Sequence, residues 1–282
     1  MDEKEIYSQF TKNLLQWYSQ FGRVLPWRQT TNPYEIMVSE FMLQQTQVTR
    51  VIPKYKAFLK SFPTIEDLAC TSLGEVLTHW SGLGYNRRAK FLHNAAKAIV
   101  ERHKGVVPSN KDELLALPGF GDYTTGAVLA FAYNKPEVVI DANVKNVFNR
   151  VFGLTLAEIP TALAECVPEK RSRDSYNALM DIGSVYYKSS SDYTDYPFAS
   201  VCKWLNGEEI PVIKKYKQSK FLGSNRWYRG QILKLLSTQP SLPIAHFEEM
   251  ETDESEKYHA ALGQLVSEKM IVREKAAIYL AK

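Results

Sequence analysis

From residue 4 to residue 187 the chain is a succession of segments with helical spacing of apolar residues, each stopped by Pro, Gly or Asn. That pattern leaves no room for a sheet in this region. Helices are expected over 4–20, 33–52, 54–61, 65–70, 73–80, 87–103, 111–116, 123–133, 142–152 and 172–187. Short helices joined by tight turns imply an all-α region ending near Gly207. Further on, 226–236, 243–250 and 254–268 read as three short helices, and 270–273 and 276–280 alternate like two strands around Glu274-Lys275. Three helices and a hairpin follow the order of a winged-helix module, a topology that serves DNA grooves or protein contacts; the acidic run 248–256 would repel DNA at its entrance. The expected fold is mainly α, divided into a helical region 1–207, a basic linker 208–225 and a winged-helix-like α+β module 226–282.

Composition narrows the class. With 282 residues the chain has ample length for a core, and its 45% hydrophobic content is spread out, with no apolar stretch of membrane-spanning length. The opening MDEKEIYSQF is charged rather than signal-like, so an intracellular protein is expected, in the cytoplasm or nucleoid if the source is prokaryotic; a monomer with no membrane partner is also expected. Cys70, Cys166 and Cys202 are far apart and odd in number, which suggests neither a disulfide framework nor a metal site. Net charge is only +4, but the basic residues cluster late. Between 212 and 234 lie Lys214, Lys215, Lys217, Lys220, Arg226, Arg229 and Lys234 with no acid, interleaved with Tyr216, Phe221, Trp227 and Tyr228. That mixture suits phosphates plus stacking, or else a solvated linker feeding a helix.

Three motifs carry chemistry. The run Val38-Ser39-Glu40-Phe41-Met42-Leu43-Gln44-Gln45-Thr46-Gln47 sets one carboxylate and a file of amides into an apolar helical segment that Asn32-Pro33 would cap. A carboxyl in such surroundings is desolvated, which favours its protonated form and suits it to give up a proton; a salt-bridged core Glu is the alternative. Leu117-Pro118-Gly119-Phe120-Gly121 then turns into a helix at Tyr123, and exposed N–H groups at that helix start would bind a phosphate without reading sequence. Asp141 follows four apolar residues and opens a helix, where it is an N-cap and also an anion suited to face a developing positive charge. The helix is expected to hold it ionised.

At this point a family resemblance emerges. Leu25-Pro26-Trp27-Arg28, Asn32-Pro33-Tyr34, Ser39-Glu40 through Thr46, Gly82-Leu83-Gly84-Tyr85, the 118–126 hairpin and Asp141-Ala142-Asn143-Val144 stand in the order and spacing of adenine DNA glycosylases of the MutY type, within the helix-hairpin-helix DNA glycosylase superfamily. The resemblance covers about residues 8–190 and implies a catalytic domain of two helical subdomains over 1–207. It implies that Glu40 is the general acid that protonates adenine at N7, and that Asp141 stabilises the oxocarbenium-like sugar. Tyr123 stands where bifunctional relatives hold a Schiff-base lysine, so a monofunctional enzyme is expected. Trp27 and Arg28 match the pocket around the flipped adenine, and Gln45 and Tyr85 match residues at the gap and beside the opposing base. Pro118, Gly119 and Gly121 match the hairpin on the DNA backbone. The implied partner is duplex DNA carrying a mismatch or an oxidised guanine.

The sequence also departs from that family. Members usually carry four cysteines for an iron-sulfur cluster after the segment 176–183; here Tyr187, Thr194, Pro197 and Lys203 occupy that spacing, so no cofactor is expected. Aromatic packing of Tyr193, Tyr196, Phe198 and Trp204 is expected to hold the segment instead, as in clusterless variants. Asn177 stands where a pocket glutamate often sits, and the family's Nudix-like domain, which reads 8-oxoguanine, is not expected after 207. Two other readings stay open: a thymine or uracil mismatch glycosylase, and a DNA-binding protein that kept the fold without catalysis.

Overall fold

The computed structural model of the protein describes residues 2–187, 193–213 and 220–282. In chain order its helices are α1 (Glu3–Phe21), α2 (Pro33–Leu43), α3 (Val48–Ser61), α4 (Ile65–Cys70), α5 (Leu73–Trp80), α6 (Arg87–His103) and α7 (Lys111–Leu115). Then come α8 (Asp122–Tyr133), α9 (Ala142–Phe152), α10 (Ile159–Cys166), α11 (Ser172–Tyr186), α12 (Asn225–Leu236), α13 (Ala245–Glu248) and α14 (Thr252–Ser267). The strands β1 (Leu242–Pro243), β2 (Ile271–Glu274) and β3 (Ala277–Leu280) form one antiparallel sheet in the order β1-β3-β2. Among the described residues no helix is long and apolar enough to cross a membrane. The chain folds into two compact units, one of Met1–Ile36, Ser109–Leu115 and Phe120–Tyr216, the other of Met37–Pro108, Ala116–Gly119 and Lys217–Lys282.

The first unit is built on α1, whose Tyr7, Phe10, Leu14 and Trp17 recur at helical spacing on one buried face. Asp2 and Glu5 start this helix with a reciprocal capping box. Phe10 meets Phe148, Phe152 and Phe198 at ring separations of 5.8, 5.0 and 4.3 Å, which joins α1 to α9 and to the segment after α11. That segment is held by rings. Tyr186, Tyr193 and Tyr196 pack mutually, the Tyr187 and Tyr196 phenols share a hydrogen bond, and the Arg150 guanidinium lies between Tyr187 and Trp204 at 4.5 and 4.4 Å. α9 and α11 approach so closely at Gly183 that a Cβ there would lie 2.5 Å from Asn143 Cβ.

The second unit packs α3, α5 and α6 around Trp80, which is fully buried and meets Phe58 at 6.1 Å. Residues 220–282 belong to the same unit. Tyr228 on α12, Tyr258 on α14 and Phe247 on α13 form their own ring stack, and β2 pairs with β3 from Ile271 opposite Leu280 to Glu274 opposite Ala277. The module is seated on α5 and α6. Gly74 N–H donates to the Ala281 carbonyl at 2.7 Å, and a Cβ on Gly74 would strike Leu280 Cβ. Arg229 forks onto the Glu268 carboxylate at 2.8 and 2.5 Å, Arg87 joins it at 3.3 Å, and Lys90 donates to the Glu268 carbonyl. The Arg229 hydrogen bonds hold the Glu268 carboxyl below its usual range. The expected three helices and hairpin are present, with 226–282 in one unit with 37–108.

Some elements differ from expectation. The helix expected over 33–52 breaks at 44–47, and the break expected at Pro53 does not occur, because α3 runs through it. Pro53 and Thr49 are both exposed, so the Thr49 carbonyl that loses its intrahelical donor can turn to water. The end of α2 is instead dictated by Gln45, which adopts the left-handed conformation at φ 54. α10 and β1 were not signalled by the sequence, and the helix expected over 243–250 is only α13. As a test of the α9–α11 approach, Gly183→Ala should lower stability by about 1–3 kcal/mol in urea denaturation. Wild-type stability would show that the two helices need no such closeness.

Candidate active site

The part of α2 that belongs to the second unit, from Met37 on, is buried on all sides, and Glu40 sits within it at 6% exposure beside fully buried Met37, Val38 and Phe41. Asn32 caps this helix, its Oδ1 accepting from Tyr34 N–H at 2.9 Å, as the sequence implied. The amides Gln44, Gln45 and Gln47 do not continue the helix; they lie on the turn after it. What fixes that turn is Arg88. Its Nη1 donates to the carbonyls of Phe41, Met42 and Gln44 at 2.9, 2.8 and 2.5 Å, satisfying the orphan acceptors at the end of α2. Its Nη2 donates to Leu83 and Gly84 carbonyls and to the Thr46 hydroxyl. Burial pulls the Arg88 pKa down to about 10, which still leaves it charged at neutral pH. One cation thus joins the 41–46 turn to the 83–85 turn and brings together Gln45 and Tyr85, both with positive φ, at 54 and 47. Non-glycine residues in that region mark local strain that the surroundings must hold.

The hairpin glycine Gly119 has φ 79, and a Cβ there would strike Phe91 Cβ at 2.4 Å, so glycine is required. Gly121 caps α8 with no side-chain bond, leaving the first N–H groups of that helix without a side-chain cap. Pro118 is half-buried.

In the first unit Asp141 caps α9. Its Oδ1 accepts from Val144 N–H at 2.8 Å and its Oδ2 from the Asn143 amide at 2.7 Å. These bonds favour the anion, yet burial is the larger influence and raises the Asp141 pKa above its ordinary value. The expectation that the helix alone keeps it ionised is corrected accordingly. Tyr123 lies half-buried in the first turn of α8, which packs on α11. Trp27 is buried in the 3-10 turn Pro26–Arg28, and Arg28 grips the fully buried Asp181 through two nitrogens at 2.7 and 2.8 Å while reaching the carbonyl of buried Asn177 at 3.4 Å. Arg23 adds a third bond to Asp181 at 2.5 Å. The structure therefore gathers Arg28, Asn177 and Asp181, with Asn143 against the same α11 and Asp141 bonded to Asn143, while Glu40, Gln45 and Tyr85 belong to the other unit. Lys220 is exposed; Lys214, Lys215 and Lys217 lie outside the described residues.

Asp181, Asn143 and Arg88 were not singled out from the sequence. Asp181 offered one signal, an acid four residues after Asn177 on the same helix face. Nothing local marks Arg88, because its acceptors come from two distant turns.

Residues 38–168 match the model of the HhH-GPD superfamily base excision DNA repair protein. The adenine DNA glycosylase of Mycolicibacterium smegmatis is 37% identical over 80% of the chain and 80% of that relative. The adenine DNA glycosylase of Buchnera aphidicola is 35% identical over 78% of the chain, which spans just under two thirds (65%) of that relative's length. Among solved structures, a thermostable thymine-DNA glycosylase superposes with a TM-score of 0.66 at 28% identity, over 72% of the chain and 98% of that structure. The chain belongs to the adenine DNA glycosylases of the HhH-GPD superfamily.

An iron-sulfur cluster does not fit the residues present. Of the three cysteines, Cys70 is exposed in the second unit, while Cys166 and Cys202 are buried in the first. Burial pushes the Cys166 thiol up to about 12 and also raises that of Cys202, whose Sγ donates to the Arg150 carbonyl at 3.3 Å. These are thiols rather than thiolate ligands.

The raised pKa of Asp141 has a sign that can be measured. The folded state holds this proton more tightly than the unfolded one, so the contribution to stability is full at low pH and lost as pH rises through the folded pKa. Asp141→Asn keeps a capping oxygen and removes the titration. Thermal melting from pH 4 to 7 should show the variant gaining on wild type as pH rises; parallel curves would remove burial as the dominant influence.

Proposed function

We propose that the protein hydrolyses the N-glycosidic bond of adenine mispaired with 8-oxoguanine or guanine in duplex DNA, as a monofunctional enzyme that needs no cofactor. The observation that carries this reading is the contrast between its two carboxyls. Glu40 is enclosed in an apolar helix, whereas Asp141, though buried, accepts two hydrogen bonds that favour its anion. A base inside a duplex must first be extruded. In the proposed reaction Glu40 gives its proton to N7 of the extruded adenine, so the bonding pair between N9 and C1′ leaves with a neutralised base. The Asp141 carboxylate faces the positive charge that develops on the sugar. Water then adds to C1′, its oxygen forming the new bond and its proton restoring the Glu40 carboxyl. Tyr123 has no amine with which to form an imine, so the chain ends at an abasic site without strand scission.

A thymine mismatch activity is the second reading, favoured by the likeness to a thymine-DNA glycosylase. N7 protonation separates the two, since pyrimidines lack that atom. Single-turnover release of free base from duplexes carrying A:8-oxoguanine, A:G, A:C, T:G and U:G, with alkali to reveal abasic sites, decides between them. Release of adenine from the first two supports the proposal; release of thymine or uracil replaces it. Glu40→Gln should slow adenine release by about 10²-fold or more while duplex affinity stays within about tenfold, because the proton acts on the transition state. Undiminished turnover would remove Glu40 from the chemistry.

A further inference from the structure

The second unit contains a cleft of about 470 Å³, lined on one side by Gln45, Tyr85 and the hairpin glycine Gly119 and on the other by Arg226 of α12 and Gln264 of α14. Gln45 and Tyr85 hold left-handed backbone that only a tightly determined turn keeps, and such strain gathers where a chain meets its ligand. The C-terminal module already occupies that place. The Arg226 guanidinium lies over the Tyr85 ring at 4.7 Å and donates to the Tyr85 hydroxyl, so the ring and its polar tip are both engaged, with Phe221 against the same guanidinium at 5.2 Å. This hold is a weak one. Arg229, three residues further along α12, forks onto Glu268, whereas Arg226 makes no ion pair with a carboxylate among the described residues, and its buried Nε has no acceptor there. A buried donor without a partner carries the cost of its lost water, and cation–ring contacts return little of it.

We propose that Arg226 is an autoinhibitory cover: the C-terminal module closes it over Tyr85, and a duplex reaches the strained turns only from the form in which it is withdrawn. The inference rests on duplex DNA being the substrate, as in the proposed reaction, and on Tyr85 facing that duplex. The two forms differ in what they offer. In the closed form the Tyr85 ring and hydroxyl serve Arg226; in the open form they are bare and Arg226 Nε recovers its water. DNA that binds the open form alone has an apparent affinity reduced by the open fraction. Glu268 favours the closed form, because its carboxylate takes Arg229 and Arg87 at 2.5 and 3.3 Å and its carbonyl takes Lys90, which holds α12 where Arg226 reaches Tyr85. An arginine that merely met phosphates would add to affinity. The cover makes the opposite prediction.

The test uses the full chain and a duplex with a tetrahydrofuran abasic analogue opposite guanine, so that binding is read without base release. Arg226→Ala should tighten the dissociation constant by about fivefold, the closed-to-open ratio that a cation–ring contact sustains, although it removes a positive charge. Glu268→Gln should also tighten it, while Glu256→Gln, the same change of charge at an exposed position of α14, should leave it within about twofold. In the double variant Arg226→Ala/Glu268→Gln the two gains should not add, because one closed form is abolished by either; gains that add would make Glu268→Gln an effect of charge alone and overturn the proposal. Should Arg226→Ala melt early, Arg226→Met, which keeps the stem and loses the donors, takes its place. Weaker or unchanged binding in that variant would overturn the cover and make Arg226 a contact to DNA or to the fold. Tighter binding by the variant with no adenine release by wild type would sink the proposed reaction and leave the cover standing, whereas adenine release by wild type with unchanged affinity in the variant would do the reverse.

Discussion

A buried guanidinium must find acceptors, and Arg88 finds them in the backbone of two turns distant in sequence, which meet otherwise where the Thr46 hydroxyl donates to the Leu83 carbonyl. Without it, the last carbonyls of α2 would be buried and unpaired, and the left-handed residues Gln45 and Tyr85 would relax toward commoner conformations. The helix that carries Glu40, the turn that carries Gln45 and the ring that forms one face of the cleft therefore depend on one cation. Because burial brings its pKa down only to about 10, that cation persists at neutral pH.

The first unit solves a different electrostatic problem. Asp141 is held by the two groups that favour its charge and surrounded by enough protein to disfavour it, and the second influence is larger. A carboxylate so placed is more basic, and so a stronger partner for a nearby positive charge, than one bathed in water. Arg28, Arg23 and Asp181 show the complementary case, in which a fully buried acid is neutralised by two arginines, one of which also donates to the Asn177 carbonyl.

Much of this was legible in the sequence because it rests on local rules. Helical spacing located α1, α5, α6, α8, α9 and α11, Asn32 and Asp141 announced their helix starts, and the three-helix-and-hairpin order of the C-terminal segment followed from periodicity alone. The positions that carry the family resemblance occupy structurally special places, with Tyr85 and Gly119 at positive φ and Glu40 and Trp27 buried. What escaped was set by contacts between distant residues. A run of good helix formers through 44–47 gave no sign that Arg88 would end α2 early, and Pro53 looked like a terminator because nothing local reveals that it faces solvent. Arg226 read as one more charge in a basic stretch, since its stack on Tyr85 joins residues 141 positions apart.

The ion pairs that seat the C-terminal module carry a consequence for counting. Arg87, Lys90 and Arg229 are all engaged by Glu268, so they have already exchanged their solvent ions for a protein carboxylate and carbonyl. Polyanions release counterions in proportion to the cations that actually reach their phosphates. The salt exponent for duplex association will therefore fall short of the number of lysines and arginines on this face, and the shortfall measures how many of them are bound inward rather than outward.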